Sequence, residues 1–311
     1  MSNMKTTRTI IGILIMLFGW TVFAQQNPQY TEYMYNMTSI NPAYVGTKND
    51  LSIRMLGRMQ WLGINGAPDT QTLSVGMRAY KDLGAGFSVV HDKIGLAEET
   101  NLYLDFSYTF EVSRKGKLSF GIKNGYTFFN DKLSEAISPN QINYSDVIQA
   151  FPGFGFGVYY RTDKFYAGFS VPNIFETPRF KYDPETNSFS LSRTANFFAT
   201  SGRVFKLDKD FLFKPSTMIK FVKGAPVSID LNLNLLYKER FELGASYRYN
   251  ASVQVTASFS LDKHWRIGYA YDYALTNLRK YNSGSHEVIL SYDLNFRKYR
   301  KVKARCEFFL P

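Results

Sequence analysis

The sequence predicts an all-β fold, a transmembrane antiparallel β-barrel of about 14 strands with short periplasmic turns and longer outer loops. Three observations support this prediction: segments that alternate apolar and polar residues, an aromatic content of 17%, and short connectors that alternate with longer ones. Strands of about ten residues with an apolar outer face, flanked by aromatic girdles, are typical of barrels in bacterial outer membranes.

The clearest alternation runs through residues 226–273, where four segments place an apolar residue at every second position. In the first of them, Leu231 and Leu233 share one face, while Asp230 and Asn232 share the other. Successive side chains of a strand point to opposite faces of the sheet. Each segment is therefore predicted to be a strand with one side towards lipid and the other towards a polar lumen.

The same pattern extends over most of the chain. It predicts strands at 51–61, 70–79, 83–91, 98–111, 117–130, 153–162, 164–171, 191–206, 211–222, 226–237, 240–249, 252–262, 264–273 and 286–297. Short charged connectors such as Lys238-Glu239 alternate with longer ones such as 131–152 and 274–285. Because periplasmic turns are tight and outer loops are free to grow, this alternation predicts which end of the barrel faces the periplasm.

The first 24 residues have the features of a secretory signal peptide. Lys5 and Arg8 precede an apolar stretch at 10–20, and Ala24 offers the small residue that signal peptidase requires. We therefore expect the chain to reach the outer membrane after removal of residues 1–24. An uncleaved inner-membrane anchor is the competing interpretation.

Two further segments flank the predicted barrel, which spans residues 51–297. The periplasmic lead-in at 25–50 is rich in Asn and Tyr and carries few charges, whereas a solvated tail is usually rich in charge. We expect this lead-in to be ordered and to pack into or across the periplasmic mouth. The periplasmic tail at 298–311 is basic with an apolar end. It is either a disordered tail that touches lipid headgroups or a docking peptide for a periplasmic partner.

The sequence shows no pattern that predicts an enzyme, a cofactor or a metal site. His91, His264 and His286 lack metal-ligand spacing, and no phosphate-binding loop, dinucleotide fingerprint or Ser-centred catalytic motif is present. The formal net charge is +11, but no recognition motif accompanies it, so we expect no nucleic-acid partner. The single cysteine, Cys306, excludes an internal disulfide.

The predicted inner faces carry small and charged residues. Gly153, Gly155 and Gly157 recur at every second position, which indicates that something packs close to the inner wall there. Charged residues on these faces are expected to pair with each other in a polar lumen. They are Asp105, Asp230, Asp272 and Asp293, with Arg54, Arg248 and Arg266 as partners.

Two stretches are more specific than the barrel pattern: PQYTEYMYNMTSINPAYVGT at 28–47 and RMQWLGINGAPDTQTLSV at 58–75. They resemble the PorP/SprF family of outer-membrane proteins, whose pattern has a Q-Y-x-x-Y-M-x-N lead, then N-P-A-Y-x-G, then R-x-Q-W-x-G with G-A-P-x-T-Q. Tyr33 and Met34 match the lead. The remaining matches are our candidates for family-motif or partner-binding residues: Gln29, Tyr30, Asn36, Asn41, Pro42, Ala43, Tyr44, Gly46, Arg58, Gln60, Trp61, Gly63, Gly66, Ala67, Pro68, Thr70 and Gln71.

The resemblance implies a non-enzymatic role in type IX secretion and gliding motility, namely assisting the export or cell-surface attachment of particular secreted proteins, often adhesins. Its implied partners are outer-membrane lipid, cargo with a type-B C-terminal sorting domain, and periplasmic peptidoglycan-associated components of the apparatus. The motifs can fold the lead-in and plug the barrel, bind a partner, or do both. A porin or ligand-specific channel is the alternative, because a barrel of this size has room for a channel unless it is plugged.

Overall fold

The chain folds as a closed antiparallel barrel of 14 strands, as the sequence predicts. The computed structural model describes residues 33–48, 51–135, 145–175, 182–183, 188–189 and 194–294. The strands of the wall are β1 (Leu51–Met59), β2 (Asp69–Tyr80), β3 (Leu83–Ile94), β4 (Ala97–Glu111), β5 (Lys117–Asp131), β6 (Val147–Arg161), β7 (Phe165–Val171), β8 (Asn196–Arg203), β9 (Phe211–Val222), β10 (Ser228–Tyr237), β11 (Phe241–Arg248), β12 (Ser252–Ser260), β13 (Trp265–Ala274) and β14 (Ser285–Leu294).

Neighbouring strands in the sequence are also neighbours in the wall. The first strand, β1, pairs with β14 from Leu51↔Leu294 to Met59↔His286, which closes the barrel. Closure matters in lipid, because an open sheet edge there would leave backbone N–H and C=O groups without partners. Two smaller pairings supplement the wall: Phe205–Lys206 with β9, and a hairpin of Tyr182–Asp183 with Ser188–Phe189.

The alternation places apolar side chains outside the barrel and polar ones inside. In β10, Leu231 and Leu233 are 54% and 53% exposed, whereas Asn232 and Asn234 are buried. Aromatic pairs such as Phe211–Tyr237, with ring centroids 4.8 Å apart, lie on the outer wall near the short turns. An apolar outer belt edged by aromatic rings is the surface that a bilayer requires.

The short turns have the backbone geometry that tight hairpins require. Lys238 and Glu239 both adopt positive φ angles, 48° and 58°, and Lys81 adopts 33°. Positive φ at both central residues matches the right-handed twist of the flanking strands. Among the described residues, no helix is long and apolar enough to cross a membrane.

Some strand boundaries differ from the prediction. The strand β6 begins at Val147, whereas the prediction began it at 153. The prediction stopped short because Pro152 interrupts the apolar pattern and a proline argues against a central strand. An edge position tolerates a proline, and the strand continues through it. The strand β8 ends at Arg203, but its pairing continues in register. The Val204 N–H donates to Lys164 O at 2.7 Å, next to the pair Arg203↔Phe165, and Phe205–Lys206 pair with β9, so the strand predicted to end at 206 is interrupted only at Val204. Outside the described residues lie the predicted strand parts 191–193 and 295–297, the signal peptide 1–24, the lead-in parts 25–32 and 49–50, and the tail 298–311.

Candidate functional site

Residues 33–48, which we call the plug, lie inside the barrel. They form three short helical turns, Tyr33–Tyr35, Met37–Ile40 and Pro42–Tyr44. The side chains of Tyr33, Met37 and Ala43 are at most 1% exposed, because the wall surrounds them. The plug crosses the half of the lumen that is nearer the short turns.

The N-P-A-Y-x-G motif gives the plug its shape. Asn41 is extended (φ −135°, ψ 108°), as expected before a proline, and its Oδ1 accepts from the Ala43 N–H at 2.9 Å. Pro42 stands at the first position of the following turn, where its missing N–H costs nothing. Gly46 has φ +68°, a left-handed conformation that glycine adopts without strain. The motif therefore encodes a compact path that other residue types would disturb.

A glycine-lined groove on the inner wall receives this motif. We define the glycine groove as Gly84, Gly86, Gly121, Gly157 and Gly168. A Cβ atom on Gly121 or Gly157 would lie closer than 3.0 Å to the plug, and one on Gly86 would lie 2.6 Å from the Val45 side chain. The wall can approach the plug backbone only because these side chains are absent. The sequence prediction of close packing is thus confirmed at Gly157.

Hydrogen bonds from the wall hold the plug carbonyls. Short helical turns leave carbonyl oxygens without internal partners, and buried ones need donors. Cationic side chains of four strands supply them. The pairs are Arg54 Nε to Tyr35 O (3.0 Å), Arg78 Nε to Gly46 O (3.1 Å), Lys123 Nζ to Thr38 O (3.4 Å) and Arg161 to Thr47 O.

The plug also builds an apolar core inside the lumen. Tyr33, Met37 and Ile40 pack in one buried cluster with inward-facing wall residues. The wall side of this cluster includes Leu56, Met218, Leu236 and Ile289. The prediction of a polar inner face is therefore incomplete, because apolar residues face inwards where the plug covers them. Burial raises the pKa of the Tyr33 phenol well above its usual value, so the Tyr33 hydroxyl is uncharged as it accepts from Asn232 Nδ2 at 2.8 Å.

Nearer the opposite end of the lumen, a set of ion pairs runs along the inner wall. We call it the charge ladder: Arg58, Glu287, Asp272, Arg248 and Asp230. Arg58 contacts Glu287 at 2.8 Å and Asp272 at 3.1 Å. Arg248 contacts Asp230 at 2.9 Å and Asp272 at 3.6 Å. All five side chains are at most 10% exposed. Because Arg58 is on β1 while its partners are on β13 and β14, the ladder crosses the seam where the barrel closes.

The predicted pairing of inner charges is confirmed in part and extended. Asp293 pairs with Arg54 at 2.7 Å and Asp230 pairs with Arg248, as expected. Asp105 pairs with Lys123 at 2.7 Å rather than with an arginine. Arg58, which the sequence assigned only to a motif, is a central member of the ladder. Arg58 lies two residues after the buried Leu56 in β1, so the two side chains point to the same, inner face. This spacing is the sequence signal that Arg58 faces inwards.

The second motif shapes the connector between β1 and β2, at the end opposite the short turns. The backbone N–H of Gln60 donates to Pro68 O at 2.9 Å, and that of Trp61 donates to Ser285 Oγ at 3.2 Å. Gly63 and Gly66 have φ angles of 102° and 73°. These bonds form a compact loop that docks beside β14.

The two motifs therefore lie at opposite ends of the lumen and do not form one site. In the second motif, Thr70 is buried and donates to Asp92 Oδ1 at 2.5 Å, whereas Gln71 and Gly66 are exposed. In the first, Asn36 is buried and its side chain has no hydrogen-bond partner among the described residues. Gln29 and Tyr30 lie outside the described residues. Within the part of the chain that the structure describes, no group of three or more His, Cys, Asp or Glu residues is arranged to hold a metal ion.

Comparisons with known proteins identify the family. The family model described as type IX secretion system membrane protein PorP/SprF matches residues 22–292. No curated protein matches the chain. Among solved structures, similar ones include the Acinetobacter baumannii outer membrane protein Omp33 (8% identity, 80% of this chain and 100% of that one, TM-score 0.45) and the Ralstonia pickettii toluene transporter TbuX (12% identity, 83% and 92%, TM-score 0.49).

Proposed function

Because the chain belongs to the PorP/SprF family of type IX secretion membrane proteins, we propose that this outer-membrane barrel assists the export or cell-surface attachment of specific secreted proteins such as adhesins. The role is that of a scaffold and involves no catalysis. The single observation that carries the proposal beyond the family is the plug, since a barrel that is filled from within is suited to binding proteins rather than to passing solutes.

The interior supports a scaffold over an open porin. A porin keeps a water-filled lumen, in which inward-facing charges remain solvated. Here Asp105 and Lys123, in the middle of the wall, are both 0% exposed. The plug fills part of the lumen on the short-turn side, and on the other side the charge ladder lines the inner wall with side chains that are paired with each other. The alternative of a porin or ligand-specific channel would require the plug to move.

The orientation assigns partners to each end. We place the short turns in the periplasm, next to peptidoglycan-associated components of the apparatus, with the signal peptide removed after Ala24. Basic residues in these turns and in the tail at 298–311 would steer the encounter with such components. We assign the binding of cargo with a type-B C-terminal sorting domain to the outer end, and with it the link to gliding motility.

The test combines a gene deletion with a conductance measurement. Deleting the gene is expected to remove a small set of proteins from the cell surface, identified by mass spectrometry, and the wild-type gene is expected to restore them. The purified barrel is expected to show no steady conductance in planar bilayers. An unchanged surface proteome after deletion, together with conductance that has a defined solute cut-off, would instead establish a porin.

A further inference from the structure

The barrel wall is not equally tall all around. The strands β4, β5 and β6 each have 15 residues, whereas β7 has 7. Over its whole length β6 pairs with β5, but it pairs with β7 only from Phe156 to Arg161. The upper part of β6 therefore rises above β7 at the end with the long connectors. We call residues 147–153 the β6 edge.

The β6 edge presents backbone groups in the pattern of a strand that has no neighbour on one side among the described residues. In an antiparallel ladder, alternate residues bond to alternate neighbours. The Thr162 N–H donates to Phe165 O, and Phe154 O accepts from Ile174 N–H, each at 2.8 Å, so the even-numbered residues of this stretch face the β7 side. The N–H and C=O groups of Ile148 and Ala150 follow this pattern. Within the described part of the chain they have no hydrogen-bond partner on that side.

An apolar hollow lies beside these groups on the outer face of the wall. It has a volume of about 480 Å³. Ile148 and Ala150 of β6 line it together with Phe128 of β5, and its remaining lining residues belong to β3, β4, β5 and β6. Ile148 is 78% exposed. Polar side chains share this face at the same height, and His91 Nδ1 lies 2.9 Å from Thr100 Oγ1. The hollow therefore stands above the lipid belt, where exposed apolar surface indicates a protein contact.

We propose that the β6 edge binds an extended segment of a secreted protein as an added strand, with an apolar side chain of that segment in the hollow. That the segment comes from a secreted protein rests on the proposed function. The extended conformation follows from the edge itself, because donors and acceptors two residues apart pair only with another strand. Pro152 has no N–H and ends the site towards the membrane, so the bound segment is short.

Photocrosslinking in cells tests this proposal. Benzoylphenylalanine replaces Ile148, and the yield of covalent adduct is measured in Ala150→Val and Ala150→Pro backgrounds. Ala150→Pro removes the edge-facing N–H, as Pro152 already does two residues away, while Ala150→Val keeps it with similar bulk. We expect an adduct with a secreted protein in the Val background and about a tenfold lower yield in the Pro background, since a backbone hydrogen bond is lost.

Three results would overturn the proposal: equal adduct yields in both backgrounds, an adduct only with a second copy of the barrel, or no protein adduct. Heat-dependent gel mobility checks that each variant is folded. If Ala150→Pro fails to fold, Ile148→Lys places an edge-blocking charge at the same site, and the crosslinker moves to Phe128, with the same drop in yield expected.

The proposed function is tested separately by the gene deletion. If the deletion removes proteins from the surface while Ala150→Pro leaves them there, the edge proposal is overturned and the function stands. If the deletion itself changes nothing at the surface, the function fails.

Discussion

Replacing Gly121 by alanine is expected to displace the plug from its groove. The new Cβ would overlap the backbone of Pro42 and Ala43, at distances below 3.0 Å. A flexible side chain could move aside at low cost, but backbone on both sides of this contact is fixed by hydrogen bonds. Gly57→Ala is the matched control, because Gly57 lies in a wall strand and its added Cβ would meet nothing within 4 Å.

The size of the effect follows from the hydrogen bonds that the shift would break. Three bonds anchor this part of the plug to the wall. They are Asn41 Nδ2 to Val158 O (3.1 Å), Ser170 Oγ to Ile40 O (2.7 Å) and Ser107 Oγ to Val45 O (2.6 Å). At about 1 kcal/mol each, their loss destabilises the docked plug by about 3 kcal/mol. That corresponds to roughly a hundredfold change in the ratio of docked to released plug.

Limited proteolysis of the detergent-solubilised barrel measures this ratio, since cleavage within 33–48 requires release of the plug. We expect cleavage to be about a hundredfold faster in Gly121→Ala than in wild type, and unchanged in Gly57→Ala. Equal rates in all three barrels, with each barrel folded by its heat-dependent gel mobility, would refute the role that we give to the glycine groove.

Three further predictions concern the ladder, the mouth and the orientation. Arg58→Ala removes the guanidinium group that contacts the buried Glu287 carboxylate at 2.8 Å. It is expected to lower the free energy of unfolding by about 3–5 kcal/mol in denaturant titrations, whereas the exposed Arg279→Ala is expected to have little effect. Burial lowers the pKa of Lys48 to about 7 from 10.5. Between pH 7 and pH 10.5 the docked plug therefore binds fewer protons than the released plug, so docking should strengthen as the pH rises through this window. Lys48→Met should abolish this pH dependence in proteolysis assays. A tag inserted in 275–284 should be labelled on intact cells, whereas labelling of a tag at Lys238-Glu239 would invert the assigned orientation.

The wall could be predicted from the sequence because lipid imposes a strict rule on each strand. Every second residue must be apolar, and a period of two is visible without knowledge of any contact. The boundaries that were wrong lie where this rule does not act. At β6 the strand extends beyond the lipid belt, so Ile148 and Pro152 follow no alternation that the membrane would impose.

The interior was harder to predict, because its contacts join residues that are far apart in the sequence. Gly157 packs against Asn41 of the plug, yet Gly153 faces Tyr103 and Gly155 faces Pro172, although all three share one pattern. A small residue indicates close packing but does not identify the residue that packs against it. Only the three-dimensional path of the plug decides this.

The burial of the first motif limits how it can take part in partner binding. The side chain of Asn41 is already bonded to the wall and to the plug itself, and Ala43 is 0% exposed. Such residues contact a partner only if the plug leaves its groove, which breaks the bonds that hold it. We propose that the motif acts in one of two ways: it holds the plug in its groove and so keeps the lumen filled, or it is released when a partner arrives. Gly121→Ala separates these roles, because a motif that only closes the lumen should make the variant leaky without changing cargo at the surface, whereas a released motif should change cargo binding as well.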